Sequence, residues 1–378
     1  MADDQPGDGT ETPAPIPHVL HVADAAAFVR FGRMFRQLGL ALTEEGVRVS
    51  LLTDDADAAA ELDGTPIKQH LFQPMAGWGV WRLHGYLRRQ FDPPPDIVHV
   101  WGTTCLGYLS DWTLGCDTAL LIHATSLRDV ERLKRRGVRG NERLIAACQQ
   151  FGGLVRQRWP TLSSSFPVLA PALLLPENVP SLSVRGKTLG LIWSGRLDKH
   201  CGLEVLIEAG ARLRAQNCDF HVGVIGRGPA LRPLWREMRR QGVSDHFSLV
   251  TEPKLWDRAL TGADILVVPA CQHELALAPL LAMGLGKVVI ASRDQIAEWF
   301  IEDETSLQFT PGSAVELAYH VMRIAASHPN VMAVARSAAS YVRQNHAITR
   351  LAGELAALYH ALRQEIGVVT SSDAQRSP

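Results

Sequence analysis

The strongest constraint on this chain is an alternation. Short runs that are apolar at nearly every position recur between segments of helical periodicity along its length. In the first half the runs are HVLHV (18–22), VRVSLLT (47–53), IKQHLF (67–72), DIVHVW (96–101), ALLIH (119–123) and FPVLA (166–170). In the second half they are LGLIWSG (189–195), DFHVGVIG (219–226), HFSLV (246–250), DILVVPA (264–270), KVVIAS (287–292) and SLQF (306–309). Continuous apolar character, rather than every second residue, marks strands covered on both faces. Helical patterns such as GLEVLIEAGARLRAQ (202–216) and PALRPLWREMRRQ (229–241) lie between them. This alternation predicts an α/β fold with doubly wound parallel sheets and helices on both sides.

The 378 residues suffice for two such domains. The stretch PENVPSLSVRGK (176–187) is rich in Pro, Ser and Gly and lacks periodicity, so it is expected to be the linker. The expected division is a first domain over 17–180, a second over 181–346 and a closing helix over 347–366. Residues 1–16 and 367–378 are expected to be disordered tails. The N-terminal stretch has neither a basic start nor an apolar core, so no signal peptide is expected. No apolar run approaches the roughly 18 residues of a membrane span. Six cysteines without a C-x-x-C pair fit reduced thiols and a cytoplasmic protein. A net charge of −1 offers no global attraction for nucleic acid.

In open parallel sheets, ligands bind beyond the carboxyl ends of the strands. Three strand ends in the second half carry suitable chemistry. In WSGRLDKHCG (193–202), Gly195 permits close backbone approach, Arg196 supplies a bidentate cation and Gly202 opens a helix whose first amides favour an anion. In VIGRGP (224–229), Gly226 and Gly228 turn a strand tightly into the next helix. In CQHELALAPLLAMGLGKVV (271–289), Glu274 precedes a helix expected over about 276–285. Together these turns point to a nucleotide diphosphate site.

The order Gly195-Arg196-Leu197, then Gly226-Arg227-Gly228-Pro229, Ala263-Asp264, Pro269, Glu274, Ala282-Met283, Gly286 and Val288-Val289 resembles the donor domain of retaining glycosyltransferases of family 4. The resemblance covers about 186–345. QLGLALTEEGVRVSLLT (37–53) and PDIVHVWG (95–102) resemble the acceptor domain more loosely. It implies the GT-B fold: two Rossmann-like domains facing a cleft, with the closing helix crossing back to the first. It also implies metal-independent transfer of a sugar, with retention, from a nucleotide-diphosphate donor such as a UDP- or GDP-sugar to a sugar or lipid acceptor. Arg196 would grip the diphosphate and Glu274 the sugar hydroxyls. His123, ending ALLIH, would face the donor sugar from the first domain.

Three positions depart from the family pattern. Its second diphosphate cation, a lysine, falls on Cys201, although Lys199 in the same loop can reach the phosphates. Its second glutamate, for the ribose, falls on Leu281. ADAAAFVRFG, after the first strand, stands where paired glycines are common. These departures keep open a second reading, a non-catalytic protein of the same fold that serves as a binding or assembly partner. A nucleotide-sugar epimerase would need several cleft acids that the sequence does not offer.

His200, Cys201, Cys271 and His273 offer zinc-ligand types, but without close spacing in one element, so no metal is expected. The D-x-D within DDAD (54–57) follows a strand and reads as an acidic turn. Residues 128–158 hold nine Lys/Arg against three Asp/Glu. They are expected to form a solvated helical face or a peripheral contact with an anionic membrane.

Overall fold

The computed structural model describes residues 16–374, apart from 61, 73–79, 117, 161–166, 177–187, 251–255 and 272. The expected linker (176–187), apart from Pro176, and the expected N-terminal tail (1–16), apart from Ile16, therefore lie outside the described residues.

The first domain runs β1 (His18–Val22), α1 (Ala25–Glu44), β2 (Arg48–Thr53), α2 (Ala56–Ala60), β3 (Lys68–Leu71), α3 (Val80–Gln90), β4 (Ile97–Trp101), α4 (Leu106–Leu114), β5 (Ala119–Ala124), α5 (Leu127–Arg136), β6 (Glu142–Ala146) and α6 (Gln149–Arg158). The second runs β7 (Leu189–Ser194), α7 (Leu203–Ala215), β8 (Phe220–Ile225), α8 (Leu231–Arg240), β9 (Phe247–Val250), α9 (Trp256–Gly262), β10 (Ile265–Val268), α10 (Ala278–Gly284), β11 (Val288–Ser292), β12 (Leu307–Phe309), α11 (Ala314–Ala325) and α12 (Pro329–Asn345). Strand order is β3-β2-β1-β4-β5-β6 in one sheet and β12-β11-β10-β7-β8-β9 in the other. All ladders within these sheets are parallel. Each sheet reverses its winding beside its first strand, the topological switch where doubly wound domains bind ligands.

α13 (Ile348–Ala374) leaves the second domain and packs along α1 of the first. The crossing is pinned where Leu173 N–H donates to His346 O at 2.9 Å and Ile348 N–H to Leu173 O at 3.1 Å. Arg363 Nε lies 3.2 Å from Asp96 Oδ1. The helix continues to Ala374, so the tail expected from 367 is helical through 374.

Two other expectations are corrected. Residues 128–158 are not one helical face but α5, β6 and α6. The short β6 was hidden between two basic helices, and its first residue, Glu142, is a carboxylate in a buried position. Ser110 Oγ and the Arg139 N–H both donate to that carboxylate, and Arg136 pairs with it. Those contacts hold it below the usual carboxylate range although burial opposes them. Conversely, FPVLA forms no strand over its described residues. Val168 makes only an isolated bridge to Ala146.

The loop after β1 is short. Asp24 caps α1, accepting the Ala27 N–H at 2.7 Å, so the helix starts within ADAAAFVRFG. Asp54, the residue just before the D-x-D, accepts the Ala25 N–H on its Oδ1 at 2.7 Å and so helps to hold that helix start.

A chain of aromatic polar groups runs through the first domain's core. The Trp101 indole N–H donates to His21 Nδ1 at 3.0 Å. An indole only donates, so the proton of neutral His21 sits on Nε2, 3.4 Å from the Tyr359 hydroxyl of α13. That hydroxyl can then donate to His99 Nδ1 at 2.7 Å. The network works only with neutral imidazoles, and burial pushes His21 down to about 3 and His99 well below its ordinary value.

Candidate donor site at the second sheet

The loops after β7 and β8 lie against each other as a small ladder. Gly195 N–H donates to Ile225 O at 3.0 Å, Leu197 N–H to Arg227 O at 3.0 Å and Ala230 N–H to Leu197 O at 3.0 Å. This contact explains two glycines. A Cβ on Gly226 would sit 2.0 Å from Gly195 O, and one on Gly228 would sit 2.1 Å from Leu197 O. Their first task is thus to let two loop backbones touch. Asp264 has a comparable task, its Oδ2 accepting the Gly190 N–H at 3.0 Å.

On this platform Arg196 is exposed, 79% by side chain, with Asp198 Oδ2 3.9 Å from its Nε. Lys199 is exposed in the same loop, and Asp198 Oδ1 accepts the His200 N–H at 2.9 Å. Gly202 stands at φ 72°, and a side chain there would press on Pro269 and Ala270. It begins α7 without a capping side chain of its own; the Leu203 N–H meets the Cys201 thiol and the Val205 N–H donates to Gly202 O at 3.1 Å, while the helix dipole still favours an anion there. Arg196, Lys199, Gly195 and the start of α7 are therefore brought together. Gly226 and Gly228 support them from behind. Cys201 is half-buried, and burial pushes its thiol up.

Leu281, where the family's second glutamate would fall, is buried at 1% exposure in α10. Its surroundings are apolar and include Leu277, Leu280 and Met283. This position has no polar function.

Glu274, half-exposed, is not directed into open solvent. Its Oε2 lies 4.0 Å from Arg30 Nε and its Oε1 3.7 Å from Arg128 Nη1, both from the first domain. Neither arginine carried a recognisable local motif. Arg30 lies within α1, but Arg128 lies in the first turn of α5, whose start did carry one in Ser126-Leu127-Arg128-Asp129. Ser126 Oγ accepts the Asp129 N–H at 3.1 Å, the signature of a capped helix start.

His123 is placed elsewhere than expected. It has no exposure and stacks on Trp101 at 4.3 Å between ring centroids. Its Nε2–H donates to Leu169 O at 3.0 Å, and burial lowers its pKa to about 3. This is a core histidine, not a group facing the cleft. Among the described residues, no three His, Cys, Asp or Glu side chains group as a metal site. Cys271 Sγ lies 3.8 Å from His273 Nδ1, while His200 and Cys201 belong to the other loop.

The basic stretch is partly neutralised by carboxylates within it and around it. Lys134 pairs with Glu131, Arg136 with Glu142, Arg139 with Asp111 and Arg143 with Glu365. Arg128, Arg132 and Arg135 are exposed at spacings that share one face of α5. Among the described residues, no helix is long and apolar enough to cross a membrane.

Known proteins resemble this chain in sequence and in fold. Residues 188–327 match the family model described as Glycosyl transferases group 1. The D-inositol 3-phosphate glycosyltransferase of Pseudarthrobacter chlorophenolicus is 30% identical over 115 residues, 28% of this chain and 27% of that protein. That of an Arthrobacter species is 29% identical over 135 residues, 33% of this chain and 31% of that protein. The chain thus matches under a third of the length of these curated relatives. Among solved structures, a glycosyltransferase from Rickettsia africae superposes with a TM-score of 0.72 at 14% identity, covering 92% of this chain and 99% of that one. HepE of Anabaena, solved with UDP and glucose, superposes at 0.71 and 14% identity, covering 91% and 100%. The lipopolysaccharide glycosyltransferase WaaG gives 0.67 at 16% identity, covering 90% and 99%. The chain therefore has the GT-B fold, two Rossmann-like domains across a cleft, and its second domain carries the segment that matches Glycosyl transferases group 1.

Proposed function

We propose that this protein transfers a sugar, with retention, from a nucleotide-diphosphate donor to an acceptor bound on the first-domain side. The observation that carries this reading is the exposure of both Arg196 and Lys199 in the loop that leads to the glycine-opened start of α7, on the glycine-built ladder at the sheet's switch point. Arg196 and Lys199 grip the diphosphate and offset the charge that grows on it as the sugar leaves. Glu274 holds the sugar hydroxyls. Rate enhancement comes from positioning and electrostatics rather than from a strong base. HepE, solved with UDP, makes a UDP-sugar the first donor to try. His123 is left out of this assignment because it is sealed in the core.

A thermal-shift panel of UDP-, GDP- and ADP-sugars on wild type and Arg196→Ala tests the reading. At about ten times its Kd, the true donor should raise wild-type Tm by about 3 °C. Arg196→Ala should lose most of that rise. A panel without any shift would instead favour the non-catalytic binding protein, the reading that buried, apolar Leu281 supports.

The acceptor side is proposed to work at a cytoplasmic membrane surface, with Arg128, Arg132 and Arg135 meeting anionic headgroups. Sedimentation with phosphatidylserine vesicles at low salt should pull down wild type. It should recover markedly less of the triple glutamine variant, and equal recovery would refute the contact.

A further inference from the structure

The loop that carries Glu274 is held by the first domain. Glu274 and Ser126 form an antiparallel bridge. Leu127 N–H donates to His273 O at 2.9 Å, and Leu275 N–H donates to Thr125 O at 3.1 Å. These two backbone hydrogen bonds cross from one domain to the other beside the carboxylate, and a third follows where the Leu277 N–H donates to Arg30 O at 3.4 Å.

The first-domain side of this bridge is rigid. The buried Asp129 carboxylate accepts from Thr103 Oγ1 at 2.8 Å, Ser126 Oγ at 2.8 Å and the Thr125 N–H at 3.1 Å. Arg30 of α1 joins the two sides. Its Nη1 is 3.4 Å from Thr125 Oγ1 and 3.5 Å from Leu275 O. Its Nε donates to Ala26 O at 3.2 Å and faces Glu274 Oε2 at 4.0 Å. Arg30 therefore touches the first-domain strand of the bridge, the second-domain strand and the carboxylate together. Its side chain is largely sheltered, at 16% exposure. A second carboxylate also crosses between the domains, where Glu298 Oε2 accepts the Gln149 N–H at the start of α6 at 3.1 Å.

We propose that Arg30 is the positioning residue of Glu274 and the pin of a clasp between the two domains, so that the Glu274 carboxylate takes its place only when the Thr125–Arg128 loop is docked against it. The ion pairs at this point are long and partly solvated, and such pairs contribute little individually. The clasp is accordingly strong enough to order a loop and weak enough to open on the timescale of ligand exchange. Only the link to the sugar rests on the proposed function. The clasp itself needs no ligand.

Amide hydrogen exchange read residue by residue by NMR on the full chain tests it. In wild type, Leu127 and Leu275 should exchange together and far more slowly than free loop amides. Arg30→Met should speed both by about tenfold, the loss of one charge-assisted contact, while amides of β1 and β10 stay unchanged. Arg30→Lys should restore part of the protection. Fast exchange of both amides in wild type, or no change in Arg30→Met, would overturn the clasp. A second arm titrates UDP and UDP-glucose. If Arg30→Met binds UDP as wild type does but loses the added affinity for UDP-glucose, Arg30 acts through Glu274 on the sugar. Equal loss for both ligands would overturn that positioning role. If no nucleotide binds wild type while the exchange pattern holds, the clasp stands and the donor reading falls.

Discussion

Lowering the pH from 7 to 5 is expected to remove about 4 kcal/mol of stability through two core histidines alone. His21 and His123 each have a folded pKa near 3, driven down by burial. In the unfolded chain both titrate near 6.5, so the unfolded state binds more protons over the whole window between. Stability is therefore full above about pH 6.5 and falls as pH drops, continuing down to about pH 3. At pH 5 each histidine contributes a loss of about 2 kcal/mol, at about 1.4 kcal/mol per pH unit below 6.5. His99 and His346 act in the same direction, burial lowering both and holding His346 near 4. Total stabilities are commonly about 5–15 kcal/mol, so this one effect approaches the whole margin. The structural cause is specific: protonating His21 on Nδ1 removes the acceptor of the Trp101 indole N–H. Urea unfolding at pH 7, 6 and 5 measures it. A midpoint that stays constant over that range would show that these rings are hydrated or already charged.

The second large effect concerns Gly228. Gly228→Ala should cost about 3 kcal/mol or more, because the new methyl would meet backbone rather than a movable side chain. The nearest atoms are Leu197 O at 2.1 Å and Leu197 C at 2.6 Å. Relief requires the Arg196–Leu197 segment to move, which breaks the bonds of Leu197 N–H to Arg227 O and of Ala230 N–H to Leu197 O. The variant should lose both stability and nucleotide response, since Arg196 stands on that segment. Gly85→Ala in α3 is the control. A Cβ there meets nothing within 4 Å, and alanine should stabilise the helix by about 1 kcal/mol. Comparison of the two melting curves checks both, and a Gly228→Ala protein that melts with wild type would contradict the ladder.

The sheets were legible because a parallel strand buried on both faces writes itself as an unbroken apolar run. Runs such as ALLIH and KVVIAS became β5 and β11 for that reason. The same property hid the fate of His123. β5 is buried at every position, so no alternation shows which way a given side chain points. A histidine at its end reads alike whether it faces a ligand or packs on Trp101. β6 escaped because its five residues begin with a charged pair, and the buried Glu142 makes sense only beside Arg136 and Ser110. FPVLA shows the converse, an apolar stretch with one bridge and no ladder.

In the candidate site, the glycines and Arg196 were readable as a motif, but the reason for Gly226 and Gly228 was not. Their constraint is the carbonyl oxygens of Gly195 and Leu197, some thirty residues away in the chain. Arg30 was unreadable for the same cause at greater range. Nothing in FVRFG announces that its arginine meets a loop 245 positions on, at Leu275. Leu281 was visible as a departure from the family pattern, and its burial shows the position committed to packing.

The loops beyond β7 and β8 are proposed to hold a nucleotide diphosphate. Isothermal titration of UDP into the wild-type chain tests it most directly, with Arg196→Ala and Lys199→Ala in parallel. A single binding event is expected in wild type, weakened about tenfold or more by either substitution, the loss of one charged hydrogen bond. Absence of binding by UDP, GDP and ADP, or binding that both substitutions leave unchanged, would contradict it.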